Sequence, residues 1–106
     1  MVRYVLAGER CINKDKWEIL SNKLKVAAEI QILEDAGETP YFSRVAKALS
    51  GVGMSQTTVH TAINRLIDLG TINADWVKLD DRWVRSFFIT GESKDFIRML
   101  VNELYK

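Results

Sequence analysis

The positions of the helix-breaking residues constrain the fold of this chain more than any other feature. The single proline, Pro40, and the glycines at positions 8, 37, 51, 53, 70 and 91 divide the chain into segments of helix length. Each segment between these breaks has an apolar periodicity of its own. In chain order, these periodicities predict three helices, a β-hairpin and a final helix.

The first helix is predicted over residues 13–36, with Asn13 or Asp15 as its cap and Gly37 after its end. Its apolar residues form two adjacent stripes, Trp17, Leu20, Leu24, Ala27 and Ala28, and Ile19, Val26, Ile30 and Leu33. Together the stripes are wider than one small core can cover. We therefore expect this helix to contact a second copy of the chain as well as its own core.

The remaining segments predict two more helices, the hairpin and the last helix. A short helix runs from about residue 41 or 42 to residue 49, and a longer one covers residues 55–69, with Ser55 as N-cap and Gly70 as stop. Residues 71–90 are rich in aromatic and β-branched types and are interrupted by Asp80 and Asp81, as in a two-stranded hairpin. Helical spacing returns over residues 93–105.

Length and composition limit the class of protein. A chain of 106 residues holds one core, so residues 1–106 are expected to form a single α+β, mostly helical domain. The net charge is only +1, so any case for nucleic-acid binding depends on local charge. Cys11 is the only cysteine, which excludes an internal disulfide and a thiolate zinc site and fits a cytoplasmic setting. A lone cysteine in an apolar stretch is more often an inert thiol than a redox sensor. No apolar run suits a signal peptide or a membrane span.

The middle of the chain has the pattern of a winged helix-turn-helix, since two helices joined by a glycine-containing turn are followed directly by a hairpin. The helix over residues 55–69 is the candidate reading helix, because Val59, Ile63 and Leu66 would turn one side inward. Short polar groups on its outward side suit base edges and phosphates. These outward residues are Gln56, Thr57, Thr58, His60, Thr61, Asn64 and Arg65.

This helix resembles the reading helix of the multiple-antibiotic-resistance regulator (MarR) family, in which a serine or threonine pair precedes a valine and an arginine–leucine pair closes the segment. The matching residues are Thr57, Thr58, Val59, Arg65 and Leu66. Gly70 and Ile72 lie where the family has its glycine and strand start. The run from Asp80 to Arg82, with a strand ending at Thr90, resembles the family's wing. The resemblance covers residues 29–91.

The resemblance implies a homodimeric repressor that binds double-stranded DNA, with the reading helix in the major groove and the wing near the minor groove or backbone. The first helix and the C-terminal helix would pair two chains, and no cofactor is implied. Phosphate contacts are expected from Lys78, Arg82 and Arg85 in the hairpin and from Arg44 and Lys47 in the second helix. The chain is shorter than is usual for the family, and residues 73–75 lack the basic side chains often found there.

Other functions remain open. The near-neutral charge favours a winged-helix module that binds protein without touching DNA, and a ligand-sensing or structural dimer is a third alternative. Trp76, Trp83, Phe87 and Phe88 would either line a pocket for a small aromatic effector or only pack the hairpin. No nucleophile–base pair, glycine-rich phosphate loop or metal cluster occurs in the sequence, which predicts that the chain is not an enzyme.

Overall fold

The computed structural model describes residues 3–5 and 11–106. In chain order its elements are β1 (Arg3–Val5), β2 (Cys11–Asn13), α1 (Lys14–Glu18), α2 (Asn22–Asp35), α3 (Phe42–Ser50), α4 (Gln56–Asp68), β3 (Ile72–Leu79), β4 (Arg82–Ile89) and α5 (Gly91–Leu104). More than half of these residues are helical, which confirms the mostly helical α+β class. No helix among them is both long enough and apolar enough to cross a membrane.

Helix α2 lies at the centre of the fold. Residues 26–33 are buried without interruption, so two full turns of this helix have no side in contact with water. The helix packs against α3, α4, α5 and β4. A helix enclosed in this way is expected to be apolar on all sides. The buried run follows this expectation except at Glu29 and Gln31, which are polar.

The prediction of a single helix over residues 13–36 is wrong, because the chain bends between α1 and α2. Asn13 caps α1 as expected, and its Oδ1 accepts a hydrogen bond from Lys16 N at 3.2 Å. The helix ends after five residues. Ser21 then caps α2, and its Oγ accepts a hydrogen bond from Leu24 N at 3.3 Å. A serine that satisfies a free backbone N–H in this way stabilises a new helix start over a continuous helix.

The bend also accounts for the two apolar stripes of this region. It lets both stripes reach the same core, where Trp17 is 1% exposed and Leu20 and Leu24 are partly buried. Ile19, which is 83% exposed, is the exception. Apart from Ile19 the stripes are therefore covered within one chain, and the pairing of two chains through this region stays a prediction.

Strands β1 and β2 form an antiparallel pair that the sequence pattern does not predict. Arg3 pairs with Asn13, and Val5 pairs with Cys11. Strands of three residues are too short to show a two-residue periodicity. Ile12 is completely buried and adds β2 to the main core.

The other elements lie where the sequence predicts them. Helices α3, α4 and α5 agree with the predicted segments to within two residues at each end. Strands β3 and β4 form the predicted hairpin. Its turn consists of Asp80 and Asp81, and Asp80 has the positive φ, 56°, that a two-residue hairpin turn requires at its first central position.

The segment before α3 contacts the outer edge of β4 through an isolated β-bridge. Tyr41 forms an antiparallel bridge with Ser86, and Phe87 N donates a hydrogen bond to Pro40 O at 3.0 Å. At the base of the hairpin, Thr90 N donates to Thr71 O at 3.0 Å. The hairpin is therefore attached to the segment just before α3. A backbone hydrogen bond also joins the two ends of the hairpin next to the end of α4.

Glu34 links α2 to the end of the hairpin and to α5. Its Oε2 accepts a hydrogen bond from Ile89 N at 3.5 Å, and its Oε1 lies 3.7 Å from Lys94 Nζ. Burial raises the pKa of Glu34, and the Lys94 ammonium opposes that shift. A partly buried carboxylate is thus held between one cation and one backbone donor.

Replacing Leu33 with alanine tests the central place of α2. Leu33 is completely buried, so the truncation removes apolar contacts and leaves a cavity, which lowers the free energy of unfolding by about 2–5 kcal/mol. Ile19→Ala is the control, because its side chain is largely in water, and its effect should stay within about 0.5 kcal/mol. Urea unfolding measures both; equal effects would show that α2 is not the centre of the core.

Candidate nucleic-acid interface

Helix α4 begins at a well-defined cap. Ser55 Oγ accepts a hydrogen bond from Thr58 N at 3.2 Å and donates one to Thr58 Oγ1 at 2.9 Å. The turn before the cap contains Gly53, whose φ of +89° lies in the region that favours glycine. A serine cap contributes about 0.5–2 kcal/mol relative to alanine. The N-terminal end of α4, which carries the positive end of the helix dipole, is therefore fixed in place.

The outward side of α4 is polar, as predicted. Val59, Ala62, Ile63 and Leu66 form its buried side. Six of the seven predicted reading residues are exposed, namely Gln56, Thr57, His60, Thr61, Asn64 and Arg65. The seventh, Thr58, is half-buried and has its hydroxyl in the cap.

His60 lies where α4 meets α3. Its ring stands edge-on to the ring of Phe42, with the centroids 5.8 Å apart and the planes at 81°. Gln56 precedes His60 by one helical turn and projects from the same side of α4. The polar surface of α4 is therefore continuous with the beginning of α3.

A groove of about 360 Å³ lies between α4 and the start of α2. Its lining residues are Asn22, Lys23, Thr57, Thr58, Thr61, Ala62 and Arg65. Lys23 thus adds a second basic group beside Arg65. Local sequence patterns do not reveal this position, because the bend at Ser21 and the packing of α2 on α4 bring Lys23 there.

The register of the hairpin divides its side chains between two faces, since directly opposed residues lie on the same face. One face carries Ile72, Ala74, Trp76, Lys78, Trp83, Arg85, Phe87 and Ile89. The opposite face carries Asn73, Asp75, Val77, Leu79, Arg82, Val84, Ser86 and Phe88. Arg82 is therefore on the opposite face from Lys78 and Arg85, and these three predicted phosphate contacts do not form one group.

Arg82 instead joins a cluster at the start of α3. Its guanidinium carbon lies 5.8 Å from the centre of the Tyr41 ring, and that of Arg44 lies 4.8 Å from the same centre. Arg44 Nη1 also donates a hydrogen bond to Thr39 O at 3.1 Å. Lys47 is exposed one turn further along α3. We call Arg44, Lys47 and Arg82 the basic cluster.

Tyr41 holds two members of the basic cluster by cation–π contacts but is absent from the residues predicted for the site. Its spacing from Arg44 is visible in the sequence, whereas its contact with Arg82 depends on the bridge to Ser86. A tyrosine just before a helix predicts no such contact without the tertiary fold.

The four aromatic residues of the hairpin do not share one surface. Trp76 and Trp83 share one face and are 64% and 63% exposed. Phe87 lies on the same face but is buried in the core, and Phe88 lies on the opposite face. Phe87 therefore packs the domain, and the two tryptophans remain at the surface.

The described residues do not gather groups suited to metal binding. Within residues 3–5 and 11–106, no three His, Cys, Asp or Glu side chains lie together as a set of metal ligands. Cys11 is exposed at the start of β2 and is not enclosed by apolar side chains. The candidate functional site is the exposed outward side of α4 together with the basic residues beside it.

Comparison with known protein families, curated proteins and solved structures finds no match to the chain. The resemblance of residues 29–91 to the MarR family therefore stays a prediction. The exposed polar side of α4, the basic cluster and the hairpin are the features on which a function can be proposed.

Proposed function

We propose that this chain is a winged helix-turn-helix regulator that binds double-stranded DNA. In this proposal α4 enters the major groove, α3 crosses the DNA backbone and the hairpin is the wing. The observation that carries it is the exposed polar side of α4, whose only carboxylate, Asp68, lies at the C-terminal end. A helix of this kind brings its positive dipole end and uncharged side chains to the bases without repelling the phosphates.

The side chains of α4 suit base recognition in the major groove. Gln56 and Asn64 can each pair with adenine through two hydrogen bonds, and the methyl group of Thr57 can contact the thymine methyl group. Arg65 and Lys23 border the groove beside α4 and are placed for phosphate or guanine. Specificity would therefore reside along the exposed side of α4.

The basic cluster is placed to bind the DNA backbone. Lys47 is exposed on α3 and Arg44 is half-buried, and the Tyr41 ring brings Arg82 of the hairpin close to Arg44. A net charge of +1 gives little attraction at long range, so affinity would depend on such local groups. Lys78 and Arg85 lie on the other hairpin face and would contact a duplex independently of the basic cluster.

We further propose that the regulator is a homodimeric repressor that pairs through α5. The inward side of α5 carries the buried residues Ile97, Val101 and Leu104. Its outward side exposes Phe96 and Met99, which are 57% and 66% accessible. Burial of these two side chains against a second copy would remove apolar surface from water, which favours association.

A second candidate function is a winged-helix module that binds protein and not DNA. The charge balance favours it, because Arg65 of α4 is offset by Asp68, and the three basic residues of the hairpin are matched by three acidic ones. Retention on random duplex DNA at low salt separates the two functions. A DNA reader binds any duplex to some degree under these conditions, whereas a protein-binding module passes through.

Alanine at Gln56 or Thr57 tests base reading. Each variant should bind duplexes selected from a random pool with a smaller preference over scrambled duplexes than the wild type does. The reason is that each lost base contact is worth about 1–3 kcal/mol of discrimination. Nonspecific affinity should stay the same, since neither side chain is charged. Ser43→Ala, an exposed uncharged position on α3, is the matched control. Unchanged preference in the Gln56 and Thr57 variants would exclude base reading by this end of α4.

Alanine at Arg82 and Lys47 tests the basic cluster. Each lost phosphate contact should reduce the slope of log affinity against log salt by about 0.9, for all duplexes alike. Lys106→Ala removes the same charge at the C terminus and should leave the slope unchanged. Equal slopes in the wild type and in the Arg82 and Lys47 variants, measured by titration at several salt concentrations, would show that the cluster does not touch the backbone.

Serine at Phe96 and Met99 tests pairing through α5. Light scattering at micromolar concentration should report a dimer for the wild type and a monomer for the double variant. Trp83→Ser, an equally exposed apolar position on the hairpin, should remain dimeric. The selected DNA site should be an inverted repeat with half-site centres about 34 Å apart. A monomeric wild type would contradict the proposal.

A further inference from the structure

The hairpin extends beyond the part of the domain that covers it. Strands of eight residues span about 27 Å at roughly 3.4 Å per residue. On the face turned toward the core, Ile72, Phe87 and Ile89 at the base are buried. The same face continues past the core to Trp76 and Trp83, which are 64% and 63% exposed. The distal half of this face therefore presents two tryptophans to solvent.

Basic residues alternate with the tryptophans on this distal face. Arg85 lies directly opposite Trp76, and Lys78 lies directly opposite Trp83. The guanidinium carbon of Arg85 is 5.6 Å from the centre of the Phe87 ring, a contact that keeps Arg85 on this face. We call Trp76, Lys78, Trp83 and Arg85 the tryptophan face.

The acidic residues of the hairpin are kept away from the tryptophan face. Asp75 lies on the opposite face, where it pairs with Ser86. Its Oδ1 also accepts a hydrogen bond from the backbone N of Trp76 at 2.8 Å. Asp80 and Asp81 form the turn. The hairpin as a whole has no net charge, yet its tryptophan face presents two cations and no anion, which suits a polyanion with flat apolar parts.

The two tryptophans lie close together on the hairpin. Trp76 and Trp83 are diagonal neighbours across the two strands and share one face, a relation that keeps large side chains within reach of each other. Two exposed indole rings on one face can therefore each support an unpaired base of the same strand.

We propose that the tryptophan face binds single-stranded DNA. Unpaired bases stack on Trp76 and Trp83, and the adjacent phosphates pair with Lys78 and Arg85. In a duplex both faces of each base are covered by its neighbours, so this surface selects strands whose bases are unpaired. The site goes beyond duplex reading by α4 and does not depend on it, because it uses none of the residues of α4.

Fluorescence anisotropy of a labelled oligothymidylate of about 12 nucleotides, a length within the site sizes of single-strand binders, tests the proposal. The wild type should bind, and Trp76→Ala and Trp83→Ala should each weaken binding about fivefold or more. Alanine at both Lys78 and Arg85 should reduce the salt slope by about 1.4. Trp17 is buried, so quenching of tryptophan emission on binding reports the two exposed indoles.

Matched controls separate stacking from charge alone. An abasic strand of the same length has the same phosphates without the rings, so the wild type should bind it as weakly as the double tryptophan variant binds oligothymidylate. The Gln56→Ala and Thr57→Ala variants should bind oligothymidylate like the wild type, which distinguishes this site from α4.

The proposal is overturned if the tryptophan variants bind oligothymidylate as tightly as the wild type does. It is overturned equally if the abasic strand binds as well as oligothymidylate, which would mean recognition by charge alone. Absence of binding to oligothymidylate, together with tryptophan-dependent binding of an acidic peptide, would identify the face as a protein-docking surface instead. The double tryptophan variant should unfold at the wild-type urea concentration, since both side chains are exposed.

Discussion

The enclosure of α2 by the other elements is the constraint on which the rest of the structure depends. Residues 26–33 have no solvent-facing side, so α3, α4, α5 and β4 must each provide part of their surroundings. Burial of each large aliphatic side chain in this run is worth about 1.5–3 kcal/mol. Because α4 and the hairpin both pack on this helix, the relative position of α4 and the hairpin is set by the core. The surface proposed for DNA is thus a consequence of how one central helix is covered.

The sequence was sufficient for the elements whose signals are local. The cap at Ser55, the stop at Gly70 and the paired aspartates of the turn act within a few residues, so α4 and the hairpin are predicted closely. The outward side of α4 follows from helical periodicity alone. Features that depend on tertiary contacts are not predicted, such as the contact of Tyr41 with Arg82 and the approach of Lys23 to Arg65.

The error in the first helix has a specific physical cause. A continuous helix would leave one of its two apolar stripes uncovered, and a second chain would then be needed to bury it. Ser21 can be accommodated within a helix or can begin one, and periodicity does not distinguish these cases. The bend at Ser21, which a single local hydrogen bond stabilises, turns both stripes toward one core. A second chain is then not needed to cover one of them.

Net charge is a poor guide to the surfaces of this molecule. The total of +1 conceals a separation in which Arg44, Lys47 and Arg82 lie together, while Lys78 and Arg85 lie on the other hairpin face. The hairpin turn carries two of the acidic residues that balance these groups. Two chemically different surfaces can therefore coexist on one hairpin, one beside α3 and one among the exposed tryptophans.

The hydrogen bonds at the base of the hairpin have a consequence for the thermodynamics of association. Pro40 and Tyr41 hold the outer edge of β4, and Thr71 and Thr90 close the strand ends, so the hairpin is already ordered in the free protein. A hairpin that becomes ordered only on contact with a partner loses conformational entropy at that moment. In this chain the base of the hairpin is ordered during folding, so a partner that binds there would lose little of its interaction energy to the ordering of these strands.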